Sequence, residues 1–438
     1  MRPTHLATLV ASAVLSLSAQ GADLLQVYQQ AVTNDAQFAS ARANLTAGQE
    51  RLPQAKAGLL PNVSFGGSNT YNDGTSPLTG KDGGYNQSIY SLSLTQALYR
   101  PANWETYEQG KLAVASSEAQ FAQAKQDLIL RTSQAYFDVL AAEDALIFTK
   151  AQKEATTEQL ASAKRNFEVG TQTITDTHEA QAAYDLVVSQ EFAAINDLEV
   201  KRTALQQIIG QVPGNLATLK TGARISAPDP AKIDNWVETA EKQSNSVVIS
   251  QIAVESAKRE ITKDRAGHKP TLDLVATSRR TVTGGALLSV TGANFSNNNS
   301  LGLQWNIPLY SGNAVTSRVR EAIALEQKAR FDLENAKRTA AQATRQAFSG
   351  VNNGLAQVKA LEAAEISSQS SLDSNKLGYQ VGVRINIDVL NAQRQLYSTR
   401  RDLARARYDT VMNGLRLKNA AGILKEDDLN AINALLQN

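Results

Sequence analysis

Two long stretches of the chain carry apolar residues at the spacing of helices that pack along their whole length. In the later stretch, small apolar residues, mostly alanine, recur at alternating steps of four and three over 329–347, and Val389, Leu396 and Leu403 recur every seven. An alanine-lined seam lets a neighbouring helix approach closely. Between the two seams lies Gly382, the residue type that a helix C-terminus needs in order to turn. The pattern predicts a helical hairpin with arms of up to about 65 residues, or about 100 Å at the rise of an α-helix.

The same pattern occurs once more, earlier in the chain. The segment 167–176 matches the later turn, and its Gly170 lies 212 positions before Gly382. Similarity at one fixed offset is the signature of an internal duplication. We therefore predict two repeats, 22–212 and 213–438, each with a helix, two strands and one long helical hairpin, the second opening with a linker and closing with a further helix.

Shorter stretches in each repeat alternate between apolar and polar residues, which is the period of a β-strand. The predicted strands begin at 61–66 and cover 88–99, 270–280 and 301–309. The glycine- and asparagine-rich segments between the members of each pair, 72–86 and 284–300, are predicted as loops.

Each predicted strand has one apolar face and one face of small polar residues. A length of about ten residues suits a strand that crosses a bilayer at a tilt. Four strands cannot close a barrel, and an open sheet edge in lipid leaves backbone groups unpaired. The economical solution is a shared barrel, in which three chains supply twelve strands, a number within the range of known barrels.

The helical arms carry a related signal. The first hairpin has two adjacent apolar seams. One contains Leu128, Ala135, Val139, Ala142 and Leu146, and the other contains Ile129, Tyr136, Leu140 and Ile147. Two adjacent seams mean that a helix packs against two neighbours, as in a cylinder of helices. The core of a solid four-helix bundle is the alternative that the same seams allow.

The N-terminus has the pattern of a secretory signal peptide. Arg2 and His5 precede an apolar run, 6–17, and small residues follow, so residues 1–21 are predicted to be removed on export. No other run of about 18 apolar residues occurs, which leaves strands as the means of crossing a membrane.

Composition narrows the possible functions. The net charge is +2 with both signs interspersed, which argues against a nucleic-acid partner. There are no cysteines and three scattered histidines, so neither a disulfide nor a thiolate or histidine metal site is expected. No nucleophile–base pair and no phosphate-binding loop is recognisable. We predict a protein that is not an enzyme and needs no cofactor.

Several segments together resemble the TolC family of outer-membrane exit ducts. They are the segments 25–31, 382–392, 406–408 and 421–424, and the duplicated Val-Gly turns. The resemblance implies an α+β membrane protein, mostly α, whose long helical hairpins form a periplasmic tunnel. It implies a homotrimer with a twelve-stranded barrel in outer-membrane lipid, and a mixed belt built partly from 213–245 and 423–438. It also implies a periplasmic adaptor and an inner-membrane transporter, either ATP-binding cassette or proton-driven, as partners.

The resemblance also assigns roles to particular positions. Polar links that hold the periplasmic end shut are implied at Asp176, Tyr379 and Arg384. The resemblance also places Asp388 and Asn391 at the two positions of an acidic ring that narrows the pore. At the second of these positions the family has an aspartate, where this chain has Asn391. Adaptor-contacting tips are implied at Val169, Gly170, Val381 and Gly382. Without the resemblance, a charged residue beside a helix end caps the helix or is solvated, and a Val-Gly pair serves the turn.

Two functions are consistent with long helical hairpins on an exported chain. One is an export duct for proteins, small molecules or both, placed in the bacterial outer membrane with its tunnel in the periplasm. The other is a secreted structural or adhesive coiled-coil protein without a pore. The strands favour the duct, because a fibrous coiled coil has no need of four bilayer-length strands with an outward apolar face. The sequence leaves the cargo open.

Overall fold

The structure, a computed structural model, describes residues 21–75, 82–220, 222–285 and 294–437. The predicted signal peptide lies outside the described residues except for Gly21, as do the middle parts of the two predicted loops. None of the helices in the described ranges is both long and apolar enough to span a bilayer.

The order of elements repeats along the chain. The first half contains α1 (Leu24–Asn34), α2 (Ala36–Gln49), α3 (Arg51–Ala57), β1 (Asn62–Thr75), β2 (Asp82–Tyr99), α4 (Pro101–Glu168) and α5 (Ile174–Ile209). The second half contains β3 (Thr218–Leu219), α6 (Ile233–Gln243), α7 (Asn245–Arg265), β4 (Thr271–Gly285), β5 (Asn294–Asn306), α8 (Ala314–Gln380), α9 (Asn386–Ala420), α10 (Asp427–Asn433) and β6 (Leu436–Gln437).

The two long hairpins predicted from the sequence are confirmed, and their turns share one hydrogen-bond pattern. The Thr171 N–H donates to the Asn166 carbonyl at 2.9 Å, and the Val383 N–H donates to the Gly378 carbonyl at the same distance. Gly170 and the equivalent Gly382 have φ values of 76° and 80°, in the left-handed region that glycine adopts at no steric cost. The tandem duplication therefore extends to individual backbone bonds.

The chain divides into two compact units, and each takes segments from both repeats. The first, here the helical unit, comprises the described parts of Met1–Arg42, Ala122–Val247 and Lys337–Asn438. The second, here the sheet unit, comprises the described parts of Ala43–Phe121 and Val248–Ala336.

The sheet unit contains one antiparallel sheet in the order β1-β2-β4-β5. The outer strands, β1 and β5, each pair on one side only within the described ranges. At one end of the sheet, Arg100 donates two hydrogen bonds to the buried carboxylate of Asp273, at 2.6 and 2.8 Å. Such a two-point ion pair fixes the start of α4 against β4.

The predicted loops were too long, and the predicted strands began too late or ended too early beside them. The last predicted strand, 301–309, ran three residues past the end of β5 at Asn306. Residues 72–75, 82–86, 284–285 and 294–300 belong to strands, and the four strands have 14, 18, 15 and 13 residues. Backbone pairing continues where both faces carry polar residues, so the apolar–polar alternation ends before the ladder does. Polar cross-strand pairs support this extension, as where Ser278 donates to Asn299 at 2.7 Å.

In the helical unit, most residues of the two predicted seams of α4 are buried or half-buried, whereas Ile147 of the second seam is 59% exposed. Leu128, Ile129, Tyr136 and Leu140 are almost fully buried, and Phe137 beside them stacks on Tyr408 of α9 with ring centroids 5.6 Å apart. The short strands β3 and β6, which lie in the segments predicted for the belt, pair in the same unit. The Tyr136 hydroxyl donates to the Ala217 carbonyl at 2.7 Å, which ties α4 to the residue before β3.

Candidate functional site

The first candidate site is the turn end of the helical unit. We define the turn end as the two hairpin turns, 169–173 and 381–385, with the adjoining parts of α4, α5, α8 and α9. In the first turn, Asp176 and Thr173 form a capping box: the Asp176 carboxylate accepts from the Thr173 N–H at 3.0 Å and from its hydroxyl at 2.7 Å. Such a box satisfies backbone donors at the start of α5. The Asp176 carboxylate is therefore used within its own turn.

The second turn has an ion pair in place of the capping box. Asp388 is the equivalent of Asp176, but the capping position is Ile385, which offers no side-chain bond. The Asp388 carboxylate instead lies 3.7 Å from the Arg384 guanidinium, whose side chain is 59% exposed. A Cβ on Gly378 would lie 2.7 Å from Cγ of Arg384, so the glycine leaves room for the arginine stem.

Three hydrogen bonds join the two hairpins of one chain at the turn end. Asn386, the first residue of α9, accepts from Gln159 Nε2 at 2.5 Å through its Oδ1 atom. Its Nδ2 atom donates to the Asp176 carbonyl at 3.1 Å. Nearby, Asn166 donates to the Tyr379 hydroxyl at 3.4 Å. The two hairpins therefore meet through amides and one phenol.

Apolar side chains surround these contacts. Leu160 and Ala163 of α4, Ala180 of α5 and Leu390 of α9 form one buried cluster. Ile387, next to Asn386, packs against it. The polar contacts at the turn end thus lie beside a dry contact between the hairpins.

The residues predicted for this site differ in what they touch. Tyr379 contacts the other hairpin through its side chain and Asp176 through its backbone carbonyl, whereas Arg384 makes its ion pair within its own hairpin. Asn391 is exposed on α9. The predicted tips Val169, Gly170, Val381 and Gly382 are all exposed, in keeping with their place at the turns.

Asn386 was missed by the sequence reasoning. An asparagine before an apolar helical run is expected to cap the helix from outside. Here it is the first helical residue and is 0% exposed. The sequence signal that could have pointed to it is the comparison of repeats, because the equivalent residue of the first turn is the apolar Ile174.

Farther from the turns, another polar contact joins the hairpins. The Tyr408 hydroxyl of α9 donates to Asp144 Oδ2 of α4 at 2.7 Å. Burial raises the pKa of the Asp144 carboxyl, and burial beside Asp144 also raises the pKa of the Tyr408 phenol.

The second candidate site is one face of the sheet. The pairing places Phe65 opposite Leu92, and Val63 opposite Leu94. We define the apolar band by the residues that share this face: Val63, Phe65, Leu92, Leu94, Leu272, Leu274, Leu301, Leu303 and Trp305. Several of these side chains are largely exposed, including Phe65 at 72%. The opposite face carries small polar residues, as where the hydroxyls of Ser64 and Ser93 lie 2.7 Å apart.

The apolar band is suited to lipid. Large contiguous apolar patches are rare on proteins that are surrounded by water and mark contact with membranes or partners. Within the described ranges, no group of three or more His, Cys, Asp and Glu side chains is arranged to hold a metal ion.

Comparisons with known proteins agree with this arrangement. A family model described as outer membrane efflux protein matches residues 27–211 and 236–423. Outer membrane protein TolC of Escherichia coli (strain K12) is 34% identical over 424 residues, which cover 95% of this chain and 85% of the relative. Proteases secretion protein PrtF of Dickeya chrysanthemi is 32% identical over 441 residues, which cover 97% of this chain and 94% of the relative. The Campylobacter jejuni CmeC outer membrane channel has a similar fold, with a TM-score of 0.79 and 18% sequence identity. The match covers 94% of this chain and 89% of the CmeC chain.

Proposed function

The chain belongs to the outer membrane efflux protein family, and on that premise we propose that three copies form one channel that is closed at the turn end in its resting state. The family places the chain in the bacterial outer membrane as an export channel. The alternative of a secreted coiled-coil protein without a pore is not favoured.

The observation that carries the proposal is the four-stranded sheet with one apolar face. Its outer strands, β1 and β5, are antiparallel to their inner neighbours and run in opposite directions. An open sheet edge is not tolerated in lipid, because its N–H and C=O groups have no partner there. If β5 of one copy pairs with β1 of the next, the antiparallel order continues without interruption. Three copies then close a barrel of twelve strands, within the range of known barrels.

The turn end supplies the closure. Asp176, Tyr379 and Arg384 are the proposed links, the first two acting between the hairpins of one chain. Arg384 is exposed, so it is free to reach a neighbouring copy in addition to Asp388. Asp388 and Asn391 lie three positions apart near the start of α9 and hence on one side of the helix. Both can therefore face the axis of a trimer, where they would form the constriction.

The exposed tips are the proposed contact with a periplasmic adaptor. They are Val169, Gly170, Val381 and Gly382, two apolar side chains beside two glycines that fix the turns. The adaptor would connect the channel to an inner-membrane transporter, which supplies the energy that a passive duct lacks.

The name of the Dickeya relative supports protein secretion as one use of such a channel. We propose type I protein secretion, efflux of small molecules, or both as the function of this chain.

Replacing Asp388 with alanine should reduce the cation selectivity of the channel. Three carboxylates close to one axis attract cations in a narrow passage and repel one another. Reversal potentials in a planar bilayer under a salt gradient measure the selectivity. Asn391→Asp, which doubles the carboxylates, should instead increase cation selectivity and the block by divalent cations.

Asp373→Ala is the matched control, because it removes an exposed carboxylate of the same hairpin that accepts from Gln369 of its own helix. Its reversal potential should equal that of the unmodified channel. Equal selectivity in Asp388→Ala and in the unmodified channel would mean that Asp388 does not face the passage.

A further inference from the structure

Asn386 has the features of a joint between the two hairpins. Both halves of its amide are used: Oδ1 accepts from Gln159 of the first hairpin, and Nδ2 donates to the carbonyl of Asp176 in the same hairpin. The side chain is fully buried beside the apolar cluster around Leu160 and Leu390. A polar group that stays buried after losing its hydrogen-bond partner raises the free energy by the full penalty of its removal from water. The two bonds of Asn386 therefore oppose separation of the hairpins.

The internal duplication makes clear that the turn itself does not need this amide. The equivalent of Asn386 in the first turn is Ile174, which also begins its helix and is 47% exposed. The equivalent of Gln159 is Ser371, whose hydroxyl accepts within its own helix from Asn375. One turn therefore forms with isoleucine at this position and the other with asparagine. The asparagine is explained by the contact between the hairpins.

The ion pair in the same turn is a different kind of contact. Arg384 and Asp388 are 3.7 Å apart, lie in one hairpin, and are partly exposed. Exposed ion pairs contribute little and are screened by salt. The Asn386 bonds join uncharged groups and are made by a fully buried side chain, so salt does not screen them.

We propose that Asn386 is a positioning residue that holds the second hairpin against the first hairpin of the same chain, and that opening of the turn end breaks its two bonds. This inference rests on the proposed function, because it takes the turn end to be the closed end of the channel. It assigns to Asn386 the salt-independent part of the closure, and to Arg384 a part that weakens as salt is added.

The test is single-channel recording of Asn386→Ile, which installs the residue that the chain itself uses at the equivalent position. Loss of both bonds should raise the occupancy of the larger-conductance state about tenfold, the size expected for a lost buried hydrogen bond. The rise should be the same at low and at high salt, whereas Arg384→Ser should raise the occupancy mainly at low salt. Asn375→Ala, which removes an amide that donates to Ser371 of its own helix, should leave the recordings unchanged.

A cross-link between the two hairpins distinguishes a role of Asn386 in channel closure from a role in folding alone. The chain has no cysteines, so Gln159→Cys with Asn386→Cys creates a single defined pair. Joining the two thiols with a short bifunctional methanethiosulfonate reagent should return the double variant to low conductance, and a reducing agent should raise the conductance again.

The outcomes separate the two proposals. An unmodified protein that forms no channel in the bilayer would overturn the proposed function. Unchanged occupancy in Asn386→Ile, beside a rise in Arg384→Ser, would overturn the role of Asn386 and leave the channel itself intact. A cross-linked pair that opens as readily as the reduced pair would also overturn it, because the hairpins would then not separate on opening.

Discussion

Arginine in place of Leu92 should prevent the protein from assembling in the outer membrane. Leu92 lies in the apolar band, opposite Phe65 of β1. An arginine on the lipid face of a barrel costs about 2–4 kcal/mol near the middle of the bilayer. Three copies would add this cost three times in one barrel, so we expect assembled protein to fall to a small fraction of its normal amount. Density separation of membranes, followed by immunoblotting of unheated and heated samples, measures the assembled fraction.

Ser93→Arg is the matched control, one residue along the same strand. Ser93 belongs to the opposite face, where its hydroxyl meets that of Ser64. In the proposed barrel this face lines the interior, where a charge remains in contact with water. Ser93→Arg should therefore assemble nearly as well as the unmodified protein. Equal loss of assembly in both variants would contradict the assignment of the apolar band to lipid.

Alanine in place of Asp35 should strongly destabilise the helical unit. The buried carboxylate pairs with Arg131 of α4 at 3.0 and 3.2 Å, and it accepts from the Phe38 N–H at 2.6 Å where α2 begins. The Arg131 side chain is 34% exposed, so water screens part of its charge when the partner is removed. The loss of hydrogen bonds to the buried carboxylate costs about 1.5–3 kcal/mol. The midpoint of thermal unfolding of the detergent-purified protein should fall, and protease should cut near residue 35 more rapidly.

Asp35→Asn separates the contribution of the ion pair from that of the hydrogen bond at the start of α2. The amide oxygen can still accept from the Phe38 N–H, so the helix cap remains while the charge is lost. Its unfolding midpoint should lie between those of Asp35→Ala and the unmodified protein. A midpoint for Asp35→Ala close to that of the unmodified protein would mean that the ion pair is not part of the stable structure.

The long elements were predictable because their packing leaves a regular trace in the sequence. Leu128 and Val139 recur at helical spacing because they lie on one face of α4, and both are buried. Gly170 and Gly382 marked the turns because their backbone needs a positive φ. The ends of the strands were not predictable in this way. Between Asn294 and Leu301, β5 pairs with β4 through backbone hydrogen bonds, which leave no apolar pattern in the sequence.

The candidate site was predictable only in part. Family resemblance led to Asp176 and Tyr379, and the structure brings both to the contact between the hairpins. The role of the Asp176 carbonyl could not be foreseen, because any residue type offers a carbonyl. Asn386 was missed for a related reason: its burial depends on a contact with Gln159, more than 200 positions away in the chain. Local sequence does not record such a pairing.

The stoichiometry of the membrane-extracted protein tests the central claim most directly. Native mass spectrometry of the complex in detergent, with the mass of the single purified chain as reference, counts the copies. We expect three chains in one complex, because three four-stranded sheets close into twelve strands without a free edge. A stable membrane-inserted complex of one or two chains, with the sheet intact, would contradict the shared barrel and with it the proposed channel.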